Sequence, residues 1–92
     1  MYLVVCYDVV SDHRRGRLLR RLREYLRHVQ KSVFEGPLDD ERLATLRSMI
    51  IDEIDPVTDT VRIYHLCRGC QPATELLGTS VFVEVEERDE VY

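Results

Sequence analysis

The first ten residues, Met-Tyr-Leu-Val-Val-Cys-Tyr-Asp-Val-Val, are apolar at both parities and interrupted only by Asp8. Successive strand side chains point to opposite faces, so Tyr2, Val4 and Cys6 share one face and Leu3, Val5 and Tyr7 the other. A strand apolar on both faces has to be covered on both, which makes it central in its sheet. The next segment supplies one cover. Ser11 or Asp12 can cap a helix whose apolar stripe is Leu18, Leu19, Leu22, Leu26 and Val29. The second face needs another cover, and the cheapest is a second copy of the chain about a two-fold axis. A homodimer is therefore expected.

The rest of the chain reads as alternating strands and helices. Val29 to Glu35 is a strand stopped by Gly36-Pro37, either one bent strand or part of a tight hairpin reaching Leu38. Asp39 or Asp40 caps a second helix with Leu43, Leu46, Met49, Ile50 and Ile54 on one face, ended by Asp55-Pro56. Thr60 to Leu66 is a strand with Val61 and Ile63 on one side and Tyr64 and Leu66 on the other. Cys67 to Pro72 is a loop, followed by a short turn ending at Gly78, and Ser80 to Glu86 is a last, half-exposed strand. This order predicts a two-layer α/β sandwich with both helices on one face of the sheet.

With 92 residues, one domain is expected. No apolar run is long enough to span a membrane. Asp8 interrupts the apolar start early and no basic segment precedes it, so a signal peptide is not expected. The expected location is the cytoplasm, where the three cysteines stay reduced. The net charge of −4 conceals an uneven spread. Seven arginines (Arg14, Arg15, Arg17, Arg20, Arg21, Arg23, Arg27) face one acid, Glu24. Residues 84–90 hold five acids against Arg88. Such asymmetry assigns different partners to different surfaces.

Tyr7-Asp8-Val9 is followed by Arg14-Arg15-Gly16-Arg17-Leu18-Leu19, then by Val29-Gln30-Lys31-Ser32-Val33-Phe34-Glu35. Asp59-Thr60-Val61-Arg62-Ile63-Tyr64 comes next, before Leu66-Cys67 and Cys70. In this order over nearly the whole chain, the sequence resembles the small CRISPR-associated subunit of the spacer-acquisition machinery, the CRISPR-associated endoribonuclease family. The resemblance implies an α+β, ferredoxin-like βαββαβ two-layer sandwich that is homodimeric. An additional C-terminal strand commonly crosses to the partner. That divides the chain into residues 1–78, the ferredoxin-like domain, and residues 79–92, a C-terminal strand and acidic tail swapped onto the partner subunit. The family's function is CRISPR adaptation: it binds duplex DNA and bridges the CRISPR integrase. Some of its members are Mg²⁺-dependent endonucleases on single-stranded RNA or duplex DNA. Two positions depart from the family pattern. Leu26 stands where Gly is frequent. His28 stands where Arg is frequent, and a mostly neutral imidazole does not replace a fixed charge.

Asp8 matches the family's metal-binding acid and is the expected catalytic and metal-binding residue. One carboxylate makes a poor Mg²⁺ site. Two Asp8 side chains facing each other across the dimer axis can share one Mg²⁺ ion, which would activate a water and polarise a phosphate. Arg14, Arg15, Arg17, Arg20, Arg21 and Arg27, with Arg23, form a basic face suited to DNA backbone contact. Cations in a first helical turn oppose the helix dipole, and the run offers few i,i+4 acid partners, which favours a functional reading. Alternation would put Gln30, Ser32 and Phe34 on one face near Asp8, and Tyr7, His28, Ser32 and Phe34 are the expected site neighbours. Cys67 and Cys70 read as two reduced thiols framing a turn, since zinc needs four ligands. The acidic tail is expected to dock on the integrase as an added strand. The competing readings are a free-standing metal-dependent endoribonuclease of toxin type, and a CxxC metal or redox protein.

Overall fold

In a computed structural model of the chain, which describes residues 1–75 and 77, strand β1 (Tyr2–Asp8) forms the spine of a four-stranded antiparallel sheet. Helix α1 (Asp12–Leu22) follows, then β2 (Arg27–Gln30), β3 (Val33–Pro37), α2 (Asp40–Glu53), β4 (Thr60–Leu66) and a short α3 (Cys70–Ala73). The sheet order is β2-β3-β1-β4, so β1 is flanked on both sides as its apolar run requires. The βαββαβ order makes this the ferredoxin-like two-layer sandwich. The expected strand at Ser80–Glu86, the acidic tail and the swap of residues 79–92 lie outside the described residues. Among those residues no helix is long and apolar enough to cross a membrane.

Register explains which side chains enter the core. Val5 pairs with Phe34 on one side and Ile63 on the other, and Leu3 pairs with Gly36 and His65. Residues paired across strands share a face, so Leu3, Val5, Tyr7, Phe34, Val61 and Ile63 face the helices. Leu18 and Leu22 of α1 and Leu43, Leu46, Met49 and Ile50 of α2 close on them to form the core. Among the described residues neither α1 nor α2 covers the opposite face, where Thr74 and Glu75, just after α3, line a hollow with Tyr2, Val4, Glu35 and Leu66. Tyr2, Val4 and Cys6 lie on that face half-buried, with Val33, Glu35, Tyr64 and Leu66 beside them.

Both caps are where the polar residues allow. Ser11 Oγ accepts the Arg14 amide at 3.2 Å, and Asp39 Oδ1 accepts the Arg42 amide at 2.8 Å. Helix α1 stops sooner than its apolar stripe suggests. Glu24 and Tyr25 amides bond back three residues to Arg21 and Leu22, a tightened last turn. Leu26 therefore sits in the connection, and Arg27 and Val29 belong to strand or strand edge rather than to the helix. The ladder that pairs Arg27 with Glu35 and His28 with Phe34 outweighs local helix preference.

The segment after α1 is a hairpin turning at Lys31-Ser32, with an irregular register between His28 and Gln30. That turn breaks the alternation expected across residues 30–34. Gln30 pairs with Val33 on the helix-free face, while Phe34 points into the core. Gln30, Ser32 and Phe34 thus do not share a face. Gly36 takes φ +158°, and a Cβ there would lie 3.2 Å from Leu26 Cδ2. The Leu26 side chain is buried against it. Beyond β4, Cys70 opens a single helical turn where a loop was expected.

Candidate functional site

The alternation that buries Leu3, Val5 and Tyr7 sends Asp8 to the helix-free face, where it is exposed at the end of β1 opposite Thr60. The face therefore has a half-buried apolar centre and a carboxylate at one margin. Burial pushes the Cys6 thiol pKa up, with the neighbouring Arg62 pulling the other way. Arg62 pairs with Cys6, which makes it the diagonal neighbour of Asp8 on the same face. It bonds to Tyr64 Oη at 3.4 Å. Sequence reasoning passed over Arg62. The signal was its parity, two residues from Thr60 on the Asp8 side.

No three His, Cys, Asp or Glu side chains converge among the described residues. Asp8 of one chain thus offers a single carboxylate. Mg²⁺ keeps several of its waters and is held by one or two carboxylates. The donor chemistry fits Mg²⁺ on condition that a second acid arrives from outside the chain, and the helix-free face is where a second Asp8 would come from.

The expected neighbours separate into two groups. Tyr7 and Phe34 are buried under the helices, with ring centroids 6.3 Å apart. His28 stacks on Phe34 at 4.6 Å and 16° between planes, and its Nε2 lies 2.9 Å from the Lys31 carbonyl. His28 closes the hairpin where a longer cation would reach outward. Ser32 touches the strand end through its backbone: its carbonyl accepts the Tyr7 amide at 3.1 Å. Asp8 stands alone among these residues in facing outward on the helix-free side.

The arginines are mostly partnered, in contrast to the few partners their local spacing offered. Arg14 donates to both oxygens of Asp59, Nε at 2.9 Å and Nη2 at 3.2 Å. Asp59 is buried and also accepts the amides of Val10 at 3.0 Å and Asp55 at 2.8 Å. Arg14, then these backbone donors and the Thr58 hydroxyl, holds its carboxyl well below the usual range, against the cost of burial. Arg15 bonds to the Val9 carbonyl at 2.7 Å and pairs with Asp12, which puts its guanidinium beside the residue that follows Asp8. Arg17 Nε and Arg21 Nη1 grip the two oxygens of buried Glu53 at 2.6 Å and 2.5 Å. Arg27 pairs with Glu35 at 3.1 Å. Arg20 is exposed on α1 and has no acidic partner among the described residues.

Apart from Asp12, three residues before Arg15, these acids come from α2, the loop before β4 and β3, beyond the reach of local helix spacing. Glu53 and Asp59 are structural residues that sequence reasoning missed. Glu53 had a signal: it continues the buried spacing of Leu43, Leu46 and Ile50, and an acid on an apolar stripe needs a base nearby.

Comparison with known proteins agrees with this architecture. The family model for CRISPR associated protein Cas2 matches residues 1–73. A CRISPR-associated endoribonuclease Cas2 from Frankia alni is 36% identical over 78 residues, covering 85% of this chain and 88% of that one. One from Methanospirillum hungatei is 41% identical over 76 residues, covering 83% and 84%. The crystal structure of Streptococcus pyogenes Cas2 superposes with a TM-score of 0.76 at 29% identity, over 85% of this chain and 100% of that one. A hypothetical protein from Thermus thermophilus gives 0.75 at 38% identity, over 84% and 89%. With its whole βαββαβ core inside the matched region, the chain belongs to the Cas2 family of CRISPR-associated proteins.

Proposed function

We propose that this chain is the small subunit of CRISPR spacer acquisition, a homodimer that binds duplex DNA and bridges integrase subunits. We propose further that it hydrolyses phosphodiesters at a divalent-metal site built on two Asp8 side chains. The observation that carries the nuclease reading is the position of Asp8: exposed, at the margin of a helix-free sheet face whose apolar centre is only half-buried in one chain. Pairing two such faces about a two-fold axis covers Tyr2, Val4, Cys6 and Leu66, and can bring two carboxylates to one place. The relatives carry the name endoribonuclease, which supports the same reaction class. Bridging of the integrase rests on the family resemblance.

When bound, Mg²⁺ supplies a water of lowered pKa and neutralises charge on the phosphoryl group. Asp8 would hold the ion through a carboxylate oxygen. Arg62, its diagonal neighbour, offers a guanidinium to a phosphate lying on the same face. Arg20, exposed on α1, and Arg15, beside the end of β1 and shared with Asp12, offer separate cations to a phosphate backbone without regard to sequence. Arg14, Arg17, Arg21 and Arg27 reach phosphate only by sharing their charge with Asp59, Glu53 and Glu35.

The test is cleavage of end-labelled single-stranded RNA and duplex DNA with and without Mg²⁺, comparing wild type with Asp8→Ala. Mg²⁺-dependent cleavage that disappears in the variant is the expected result. Cleavage that survives in the variant refutes the assignment of Asp8. No cleavage by either protein, with salt-sensitive duplex binding by both, leaves a DNA-bridging scaffold without nuclease chemistry. Cleavage of RNA with no duplex binding favours the toxin-type endoribonuclease.

A further inference from the structure

Beyond β4, the Cys70 amide donates to the Cys67 carbonyl at 3.1 Å, closing a turn through Arg68-Gly69. A β-turn holds its first and fourth Cα atoms within about 7 Å, close to the upper end of the span that a disulfide bridges. The side chains converge as well: the two sulfurs lie 3.2 Å apart, the Cys67 thiol donating to Cys70 Sγ, and both residues are exposed. We propose that Cys67 and Cys70 form a reversible dithiol–disulfide site that exchanges with low-molecular-weight disulfides of the glutathione class, Cys67 attacking and Cys70 resolving. This is independent of Asp8 and of the nuclease reading.

The two thiols are not equivalent. Once Cys67 is ionised it accepts from the Cys70 thiol, and that bond, with the backbone amides of Cys70 and Gly69, stabilises the Cys67 thiolate and lowers its pKa. The same hydrogen bond, and the charge that Cys67 then carries, push the Cys70 thiol up. A thiolate is the attacking species, so the reaction starts at Cys67. Its sulfur attacks one sulfur of glutathione disulfide, forming a mixed disulfide and releasing one glutathione thiolate. Cys70 loses its proton to solvent and attacks Cys67 Sγ; the Cys67–Cys70 bond forms and the second glutathione leaves. The protein dithiol is oxidised by two electrons and the small disulfide is reduced by two.

Cys6 does not compete, because it is half-buried in β1 and burial raises its pKa. Zinc is the rival chemistry, but a structural zinc takes four ligands, and no third donor joins the pair among the described residues.

The test equilibrates the full chain in glutathione redox buffers and reads the bonds by intact mass and peptide mapping. A Cys67–Cys70 disulfide should form with loss of two hydrogens, reverse with dithiothreitol, and leave Cys6 a thiol. Cys70→Ser, whose hydroxyl can still donate to Cys67 Sγ, should trap glutathione on Cys67 faster than Cys67→Ser traps it on Cys70 at neutral pH. The proposal is overturned by absence of the bond at every buffer ratio, by faster reaction at Cys70, or by stoichiometric zinc that blocks exchange in wild-type protein.

Discussion

Glu53 is the acid whose replacement tests the energetics of the helical layer most directly. It is 8% exposed at the end of α2, and its two oxygens each take a guanidinium from α1, at 2.6 Å and 2.5 Å. Glu53→Gln keeps the shape and removes the charge. A hydrogen bond to a charged group is worth about 1.5–3 kcal/mol, so the two bonds bound the loss at roughly 3–6 kcal/mol. The real loss is smaller, because Arg17 and Arg21 are 44% and 42% exposed and rehydrate, and Gln keeps one acceptor. We expect about 2 kcal/mol at neutral pH, a drop in Tm on the order of 10 °C for a domain this size. The assay is thermal unfolding by circular dichroism from neutral pH to pH 3. Arg17 and Arg21 lower the folded pKa of Glu53. A depressed carboxyl adds stability above its unfolded pKa, lost as pH falls through the folded pKa. The gap between wild type and variant should therefore close on acidification below about pH 4. A variant as stable as wild type at neutral pH, or a gap that does not narrow as the pH falls below about 4, refutes the reasoning.

Further outcomes are expected. Val4→Glu puts a charge in the half-buried centre of the helix-free face; light scattering should show a monomer, and Mg²⁺-dependent cleavage should fall with the dimer, whereas an unchanged dimer moves the interface elsewhere. Arg20→Ala should reduce the slope of log affinity for duplex DNA against log salt by about 1 for each phosphate that the guanidinium neutralises while leaving Tm within a few degrees. Arg14→Ala should instead lower Tm, because it strips Asp59 of its cation, and Glu53→Gln should tighten DNA binding by freeing Arg17 and Arg21 from a competing carboxylate. Gly36→Ala should cost about 1–3 kcal/mol, since φ +158° and the 3.2 Å approach to Leu26 both resist a Cβ; Leu26→Ala in the same chain should relieve the clash and leave the backbone part. Chemical denaturation reads both.

Much of the architecture was legible because it rests on short-range periodicity. The double apolar parity of residues 2–7 announced a central strand, and the stripe Leu43, Leu46, Met49, Ile50 announced the buried face of α2. Ser11 or Asp12 and Asp39 or Asp40 announced the caps to within a residue, and the structure uses Ser11 and Asp39. The hairpin at Lys31-Ser32 was harder. Nothing local in Val29 to Glu35 says which two residues turn, so plain alternation groups Phe34 with Gln30 and Ser32, whereas the turn sends it into the core as a packing residue.

The pairing of charges shows where local reading stops. From sequence, seven arginines around one glutamate look unpartnered and aimed at phosphate. Asp59 and Glu53 lie 45 and 32 or more residues away and are brought to Arg14, Arg17 and Arg21 by the packing of α1 on α2 and by the loop that enters β4. The sequence by itself determined the βαββαβ order, the buried faces and the outward acid at Asp8, because helix and strand periods assign each residue a side from its near neighbours alone. The tertiary structure decided which cations are held inside the fold, which stay exposed, and that Cys67 and Cys70 meet sulfur to sulfur. The charge pairs depend on two helices settling over one sheet. The thiol pairing depends on the side-chain rotamers of a turn that spacing alone does not set.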